Sequence, residues 1–286
     1  MKRALEIAII SDVHLGTYGC HAKELTQYLR SIQPRTLIIN GDFIDASQFK
    51  RKHFSAEHLE VINEVLRMAT RGTKVYYVIG NHEDALRRFS NFSTHNIKLR
   101  NKLLLRLNGK SYWIFHGDVF DASTKISPWL AQFGTRGYQC LIRLNRLINQ
   151  LRRRLGQPRM SMAAKVKNNV QRAVQYIREF EEVAIGLALK NGYDYVICGH
   201  IHQAGIKTVE RPEGRVTYMN AGDWVESLTA LEYNFGRWSI HEYRASDFIS
   251  VNPRLVVKAK PPKAKVELPQ RRTEDIINLM VGGNDS

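Results

Sequence analysis

The sequence predicts an α/β fold carrying a helical insertion, and three features of it support that expectation. Short apolar runs of strand composition alternate with helically spaced stretches over residues 1–118, the spacing turns helical and basic over about 120–190, and strand-like runs return from Tyr193. At 286 residues and 43% hydrophobic, the chain can bury one substantial core.

Leu5 to Ile10, Leu37 to Asn40, Val75 to Ile79 and Ser111 to His116 are rich in β-branched and aromatic residues and read as strands. Ala22 to Ser31 and Ala56 to Thr70 carry apolar residues at helical spacing. Asn108-Gly109 between Leu103–Leu107 and Ser111–Phe115 reads as a hairpin turn. In the insertion Leu141, Leu144, Leu147, Ile148 and Leu151 recur at helical spacing; Gly156 to Pro158 breaks the run, and Met162 to Lys190 resumes it. Tyr193 to Cys198 is a further strand, and Gly205–Met219 and Leu228–Tyr243 are expected hairpins turning at Pro212-Glu213-Gly214 and Asn234-Phe235-Gly236. The expected division is therefore a domain over 1–251, its insertion at about 120–190, and a basic Pro/Lys-rich tail over 252–286.

Formal net charge is +16 with a pI near 9.9, which calls for an anionic partner: nucleic acid, an acidic bilayer or a phosphorylated substrate. Residues 120–190 hold 13 Lys/Arg against 4 Asp/Glu, and residues 251–272 hold 7 against 1. Cys20, Cys140 and Cys198 are odd in number and far apart, so neither a disulfide framework nor a zinc knuckle is expected and a reducing cytoplasm fits. Met1-Lys2-Arg3 leads into an apolar run interrupted by Glu6 with no small-residue cleavage site, so no cleaved signal peptide is expected. No run of about 18 apolar residues occurs, and a soluble protein or one resting on a membrane surface is expected.

Five motifs each follow a predicted strand: Asp12 with His14, Gly41-Asp42, Gly80-Asn81-His82-Glu83, His116-Gly117-Asp118, and Gly199-His200-Ile201-His202. Ligand sites gather at the carboxyl ends of strands in open α/β sheets, so these positions are expected to converge. Each motif alone is more often a turn, a cap or a satisfied core residue; all five in order are a functional constellation. Carboxylate, amide and imidazole ligands without thiolate suit Mn²⁺, Fe²⁺ or Zn²⁺, and the inventory suffices for two ions, an arrangement that favours in-line attack on phosphorus. Glycines before Asp42, Asn81 and His200 permit tight turns there. His21, His53, His58, His95 and His241 lie outside the motifs and read as surface or structural.

This set resembles the calcineurin-like metallophosphoesterase signature over residues 7–202. The resemblance implies a four-layer α/β/β/α sandwich with a helical lid insertion, a hydrolase, and two divalent metal ions, manganese first with zinc or iron as alternatives. It implies Asp12, His14, Asp42 and His202 at the first metal, with Asp42 bridging, and Asn81, His116 and His200 completing the second. His82 is then a catalytic group lying over the metals, where it steadies developing charge or protonates the leaving oxygen. Asp118 is expected to orient His116 or a neighbouring turn.

The insertion, Gly41-Asp42-Phe43-Ile44-Asp45 and the 161–172 segment resemble the UDP-2,3-diacylglucosamine diphosphatase subfamily of lipid A biosynthesis. That likeness implies a lipid-linked nucleotide diphosphate substrate, cleavage to UMP and a sugar phosphate, and a cytoplasmic enzyme peripheral on the inner membrane face. Asn81, Lys165, Lys167, Asn168 and Arg172 become candidate substrate-binding residues, and Trp129, Phe133, Leu141 and Leu144 could line an acyl-chain groove or pack against the body. The best-known members have arginine after the asparagine where this chain has His82, which sets it in a related branch. The alternatives are a soluble phosphodiesterase or nuclease whose basic insertion tracks a phosphate backbone, and a non-catalytic scaffold on the same fold. Scarcity of aromatics beside the basic runs weighs against single-stranded nucleic acid.

Overall fold

The computed structural model describes residues 2–45, 54–120 and 162–248, without the side chains of 162–170 and 172. The remainder of the insertion, including Trp129, Phe133, Leu141 and Leu144, the side chains of Lys165, Lys167, Asn168 and Arg172, and the tail over 252–286 lie outside the described residues.

In chain order the elements are β1 (Arg3–Ile10), α1 (Ala22–Ser31), β2 (Ile32–Asn40), α2 (Ala56–Thr70), β3 (Lys74–Val78), β4 (Ser93–Thr94), β5 (Ile97–Arg100), β6 (Lys102–Leu107) and β7 (Lys110–Phe115). They continue with α3 (Met162–Lys190), β8 (Tyr195–Cys198), β9 (Gly205–Arg211), β10 (Gly214–Asn220), β11 (Thr229–Asn234) and β12 (Arg237–Glu242). Single-turn to three-turn 3₁₀ segments occupy Asn81–Phe89, Asp118–Phe120 and Ala245–Phe248. Seven strands form one sheet in the order β12-β11-β1-β2-β3-β5-β4, and five form a second in the order β6-β7-β8-β10-β9. Strands β1, β2, β3 and β5 are mutually parallel, as are β7, β8 and β10.

Period-two alternation of side chains assigns the layers. Ala8 and Ile10 of β1 and Leu37 and Ile39 of β2 pack with Leu25, Leu29, Val61 and Met68 of α1 and α2. The opposite faces, Ile7, Ile9 and Ile38, meet Tyr112, Ile114, Ile197 and Met219 of the second sheet. That sheet's far face, Phe115, Val196, Cys198 and Tyr218, packs on Tyr176, Phe180, Ala184, Ile185 and Ala188 of α3. The result is an α/β/β/α sandwich, and the part of α3 from Tyr176 onward is its fourth layer. Truncating a middle-layer residue such as Ile9 to alanine costs about 2–5 kcal/mol.

The expected hairpins form. Asn108 and Gly109 have φ of 50° and 75°, and Phe235 and Gly236 have 49° and 76°, the doubly positive pattern that matches strand twist in a two-residue turn. Two features differ from expectation. Strand β2 starts at Ile32 rather than Leu37, running through Pro34; the proline is tolerated because β2 pairs with β3 only from Thr36 onward, and Thr73 Oγ1 caps the Pro34 carbonyl at 2.9 Å. The short β4–β5 pair at the sheet edge, turning through His95 at φ 33°, was not expected.

Candidate metal centre

Every motif leaves the carboxyl end of a strand: Asp12 and His14 follow β1, Asp42 follows β2, Asn81 and His82 follow β3, His116 follows β7, and His200 and His202 follow β8. The loops are stitched to one another through their backbones. Asp12 N–H donates to Gly41 O at 3.1 Å, His14 N–H to Asp42 O at 2.9 Å, Gly199 N–H to His116 O at 2.9 Å, and Trp224 N–H to Asp12 O at 3.1 Å. Asp12, His14, Asp42, His200 and His202 all have φ between 50° and 69°. A non-glycine residue in this left-handed region costs about 1–2 kcal/mol, so the surrounding bonds hold these five in a conformation they would not choose.

Three groups of ligand atoms gather, each within 4.8 Å of one another: Asp12, His14 and His202; His14, Asp45 and His82; and Asp42, His116 and His200. Asp42 Oδ2 stands 3.3 Å from His116 Nε2, 3.7 Å from His82 Nε2 and 3.9 Å from His14 Nε2, so one oxygen faces all three groups. Asp12 Oδ1 lies 3.3 Å from His202 Nε2. Asn81 opens its 3₁₀ segment with an exposed side chain beside His82.

Electrostatics follow from this crowding. Burial alone would raise the Asp12 carboxyl, but His202 and His116 outweigh it and lower it to about 2. Burial likewise opposes ionisation of Asp42, and His116, His14 and His82 override it, holding the carboxyl far below the usual range. Desolvation works against charge on His202, yet Asp12 and Asp223 lift it to about 9; His116, between Asp42 and Asp12, is raised well above its ordinary value.

The donor set fits divalent cations. Asp12 Oδ1, His14 Nε2 and His116 Nε2 are buried and complete no hydrogen bond among the described residues, despite carboxylate–imidazole approaches of 3.3 Å. Buried polar atoms are rarely left so, and three of them, all of metal-ligating type and turned to one space, fit a cation that accepts lone pairs. Their opposite sides are fixed: His116 Nδ1 is 2.9 Å from Asn40 O, and Asp12 Oδ2 accepts the His200 N–H at 3.0 Å.

Several supporting residues were not singled out for roles by sequence. Asp45 lies 2.9 Å from His82 Nδ1 and 3.6 Å from His14 Nδ1. Asp223, fully buried, accepts the N–H groups of Val225 and Ser227 at 2.8 and 3.1 Å and stands 3.8 Å from His202 Nδ1. Glu83 accepts from Asp42 N, Ile44 N, Gly80 N and the Tyr77 hydroxyl, joining the β2 and β3 loops. Asp118, expected to orient His116 or a turn, instead pairs with the Arg87 guanidinium, because the His116 ring nitrogen is already taken by the Asn40 carbonyl. Outside the motifs, His58 is buried and accepts the Gly16 N–H at 3.3 Å, His241 stacks on Tyr28, and His21 and His95 are exposed.

Curated relatives resemble most of the chain. UDP-2,3-diacylglucosamine hydrolase of Wigglesworthia glossinidia brevipalpis is 25% identical over 240 residues, covering 79% of this chain and 89% of its own. The protein of the same name from Blochmanniella pennsylvanica is 22% identical over 244 residues, covering 80% and 92%. Among solved structures, an archaeal phosphodiesterase aligns over 82% of this chain and 98% of its own at 13% identity with a TM-score of 0.41. The calcineurin-like phosphoesterase profile matches residues 5–204, a span that holds all five motifs. With that match laid over loops that converge on one cation-fitting space, the chain belongs to the calcineurin-like phosphoesterase family, metal-dependent hydrolases that work with a dinuclear divalent centre.

Proposed function

We propose that the chain hydrolyses UDP-2,3-diacylglucosamine to UMP and a diacylglucosamine phosphate at the cytoplasmic membrane face. The observation that carries this reading is the likeness to hydrolases of that name, 22–25% identical across 89–98% of their length. In this reading Asp12, His14, Asp42 and His202 would hold one ion, and Asn81, His116 and His200, with Asp42 shared, would hold the second. Manganese suits the set, with zinc or iron also accommodated. Bound there, two cations supply Lewis acidity and charge neutralisation at a phosphoryl group.

The chain's own residues do the rest. The water oxygen bonds to one phosphorus as the bond from that phosphorus to the bridging oxygen breaks; His82 gives its Nε2 proton to the departing phosphate oxygen, and the proton released by the water restores the imidazole. Asp45, 2.9 Å from His82 Nδ1, orients the ring so that Nε2 faces Asp42. Asn81, Lys165, Lys167, Asn168 and Arg172 are the candidate contacts to diphosphate and sugar. A second reading makes His82 a metal ligand, and the grouping of His82 with His14 and Asp45 favours it.

The substrate is tested by comparing UDP-2,3-diacylglucosamine with UDP-N-acetylglucosamine. Burial is worth about 0.8 kcal/mol per methylene, so four sequestered methylenes raise kcat/KM about 200-fold. UMP is the expected product, and chelation should abolish turnover until Mn²⁺ is restored. Equal rates on both compounds, or preference for a cyclic dinucleotide or a DNA strand, would refute the lipid substrate.

A further inference from the structure

At the opposite end of the strands from the metal centre, the starts of β1 and β2 and the turns leading into β3 and β12 form a depression of about 690 Å³, lined in part by Glu6, Arg35, Arg71 and Phe235. The path from Glu6 to Asp12 runs along β1 for about 20 Å, at roughly 3.3 Å per residue, so the depression is no part of the catalytic space. Phe235 stands at its rim against the preference of its own turn. The ring is 91% exposed, and the backbone has φ 49°, a region that disfavours bulky side chains and suits asparagine or glycine. At the corresponding place in the other two-residue turn the chain has Asn108. Two bonds nonetheless fix the Phe235 turn against β1: Phe235 N–H donates to Glu6 Oε1 at 3.1 Å, and Asn234 Nδ2 donates to Ala4 O at 3.1 Å. A ring held in place yet left uncovered is a platform for a flat partner.

The far side of the depression carries free positive charge. Arg35 on β2 and Arg71 just after α2 are exposed, and neither guanidinium has a hydrogen bond or ion pair among the described residues. The bond from Thr73 Oγ1 to Pro34 O, 2.9 Å, ties the two arginine-bearing segments together. The sheet order β11-β1-β2-β3 sets β3 three strand spacings from β11, about 14 Å at roughly 4.8 Å each, with β2 between them. Glu6 is kept at the ring end by its bond to the Phe235 N–H, which leaves Oε2 to accept from hydroxyl donors. A ring, then a carboxylate, then two planar guanidinium forks match the base, sugar and phosphate of one nucleotide in order.

We propose that this depression is a second site that binds a free nucleoside phosphate, with the base stacked on Phe235, the sugar hydroxyls on Glu6 and the phosphate between Arg35 and Arg71. One aromatic platform takes one base, which favours a single nucleotide over a strand. The site is independent of which phosphate ester the metal centre cleaves.

The test is calorimetric titration of the Mn²⁺-loaded full chain with AMP and UMP, a purine and a pyrimidine, and with adenosine and inorganic phosphate as partial probes. At least one of the two nucleotides should bind more tightly than adenosine or phosphate, since each partial probe reaches only part of the site. Phe235→Asn should weaken that binding about tenfold or more, and Arg35→Ala with Arg71→Ala by a similar factor. Turnover of bis(4-nitrophenyl) phosphate should stay unchanged in both variants, reporting an intact fold and centre. Phe235→Asn should also melt at or above the wild-type temperature, because asparagine suits φ 49° better; affinity lost without stability lost marks a ring that serves a ligand. Wild-type nucleotide affinity in either variant would overturn the proposal, as would no binding of AMP or UMP at millimolar concentration. So would an oligonucleotide that binds far more tightly than either nucleotide and is lost in the same variants, since the depression would then serve a strand. A wild-type dimer that Phe235→Asn converts to monomer would equally overturn it, assigning the ring to a second copy of the chain.

Discussion

Gly80→Ala is the sharpest probe of how the β2 and β3 loops are packed. Gly80 has φ −95° and ψ −175°, a backbone conformation any L-residue adopts, so the substitution acts through space alone. A Cβ there would lie 2.2 Å from Asp42 Oδ1 and 2.5 Å from Asp42 N, where ordinary contact begins near 3.4 Å. One loop must therefore yield by about 1 Å, and the near atom includes backbone, which cannot rotate aside. The movement also breaks the 3.0 Å bond from His82 N–H to Asp42 Oδ1, a charged acceptor worth about 1.5–3 kcal/mol. A misplacement of about 1 Å costs roughly 100-fold in rate. Calorimetric titration with Mn²⁺ should show weakened binding, and turnover of bis(4-nitrophenyl) phosphate should fall about 100-fold, mainly in kcat. Overpacking of about 1–3 kcal/mol should lower the melting temperature by roughly 2–10 °C. Gly72→Ala is the matched control: its φ is +100° with no atom within 4 Å, so it strains the backbone and leaves Mn²⁺ binding untouched. Wild-type Mn²⁺ affinity together with a rate within threefold of wild type in Gly80→Ala would refute the reasoning.

Two further perturbations separate roles within the centre. His82→Ala should keep both ions yet lose about 10²–10⁴ in rate, whereas Asp42→Ala should lose metal outright; elemental analysis decides, and metal loss in His82→Ala would make that residue a ligand. The metal-free protein should depend on pH through His202 and Asp12. Burial opposes charge on His202, but Asp12 raises it to about 9, above its unfolded value, so its stabilising contribution is complete below about pH 6.5 and vanishes as pH rises through 9. Asp12, lowered to about 2, contributes above about pH 3.9 and loses that contribution as pH falls towards 2. Melting of the metal-free protein should therefore peak between about pH 4 and 6.5 and decline towards pH 9, while Mn²⁺ affinity climbs over the same interval as His202 gives up its proton. A metal-free melting temperature constant from pH 6.5 to 9 would contradict the pairing.

The motifs were legible because each is local: a strand, a tight turn, then a side chain of metal-ligating type. Convergence of Asp12, Asp42, His116 and His200 followed from the rule about strand ends, and the Asn108-Gly109 turn followed from its dipeptide. The supporting shell was harder, because its partners are remote in sequence. Asp45 accompanies His82, 37 positions away, and Asp223 accompanies His202 only after β9 and β10 have brought the chain back. A usable signal existed: Gly222-Asp223 follows an apolar strand just as Gly41-Asp42 does. Strand β2 was read only from the apolar run at Leu37, and its earlier residues show their strand character through pairing with β1, Arg3 opposite Ile32 and Leu5 opposite Pro34. Division into two sheets was invisible to periodicity, since Ile9 and Ile10 are equally apolar while facing different layers.

Asp12, Asp42 and His82 come from the seven-stranded sheet, and His116, His200 and His202 from the five-stranded one. The His200–Asp12 bond alone spans 188 positions. A refolding chain can complete each sheet and still own no binding site until the two close face to face, the slow, long-range step for a topology of this kind. Cation affinity is thereby a gauge of closure, and a bound cation is a clasp that must be released before the layers can part. Added metal should consequently retard unfolding far more than it hastens the first collapse, so the protein's lifetime outside equilibrium is set by its ion supply as much as by its core.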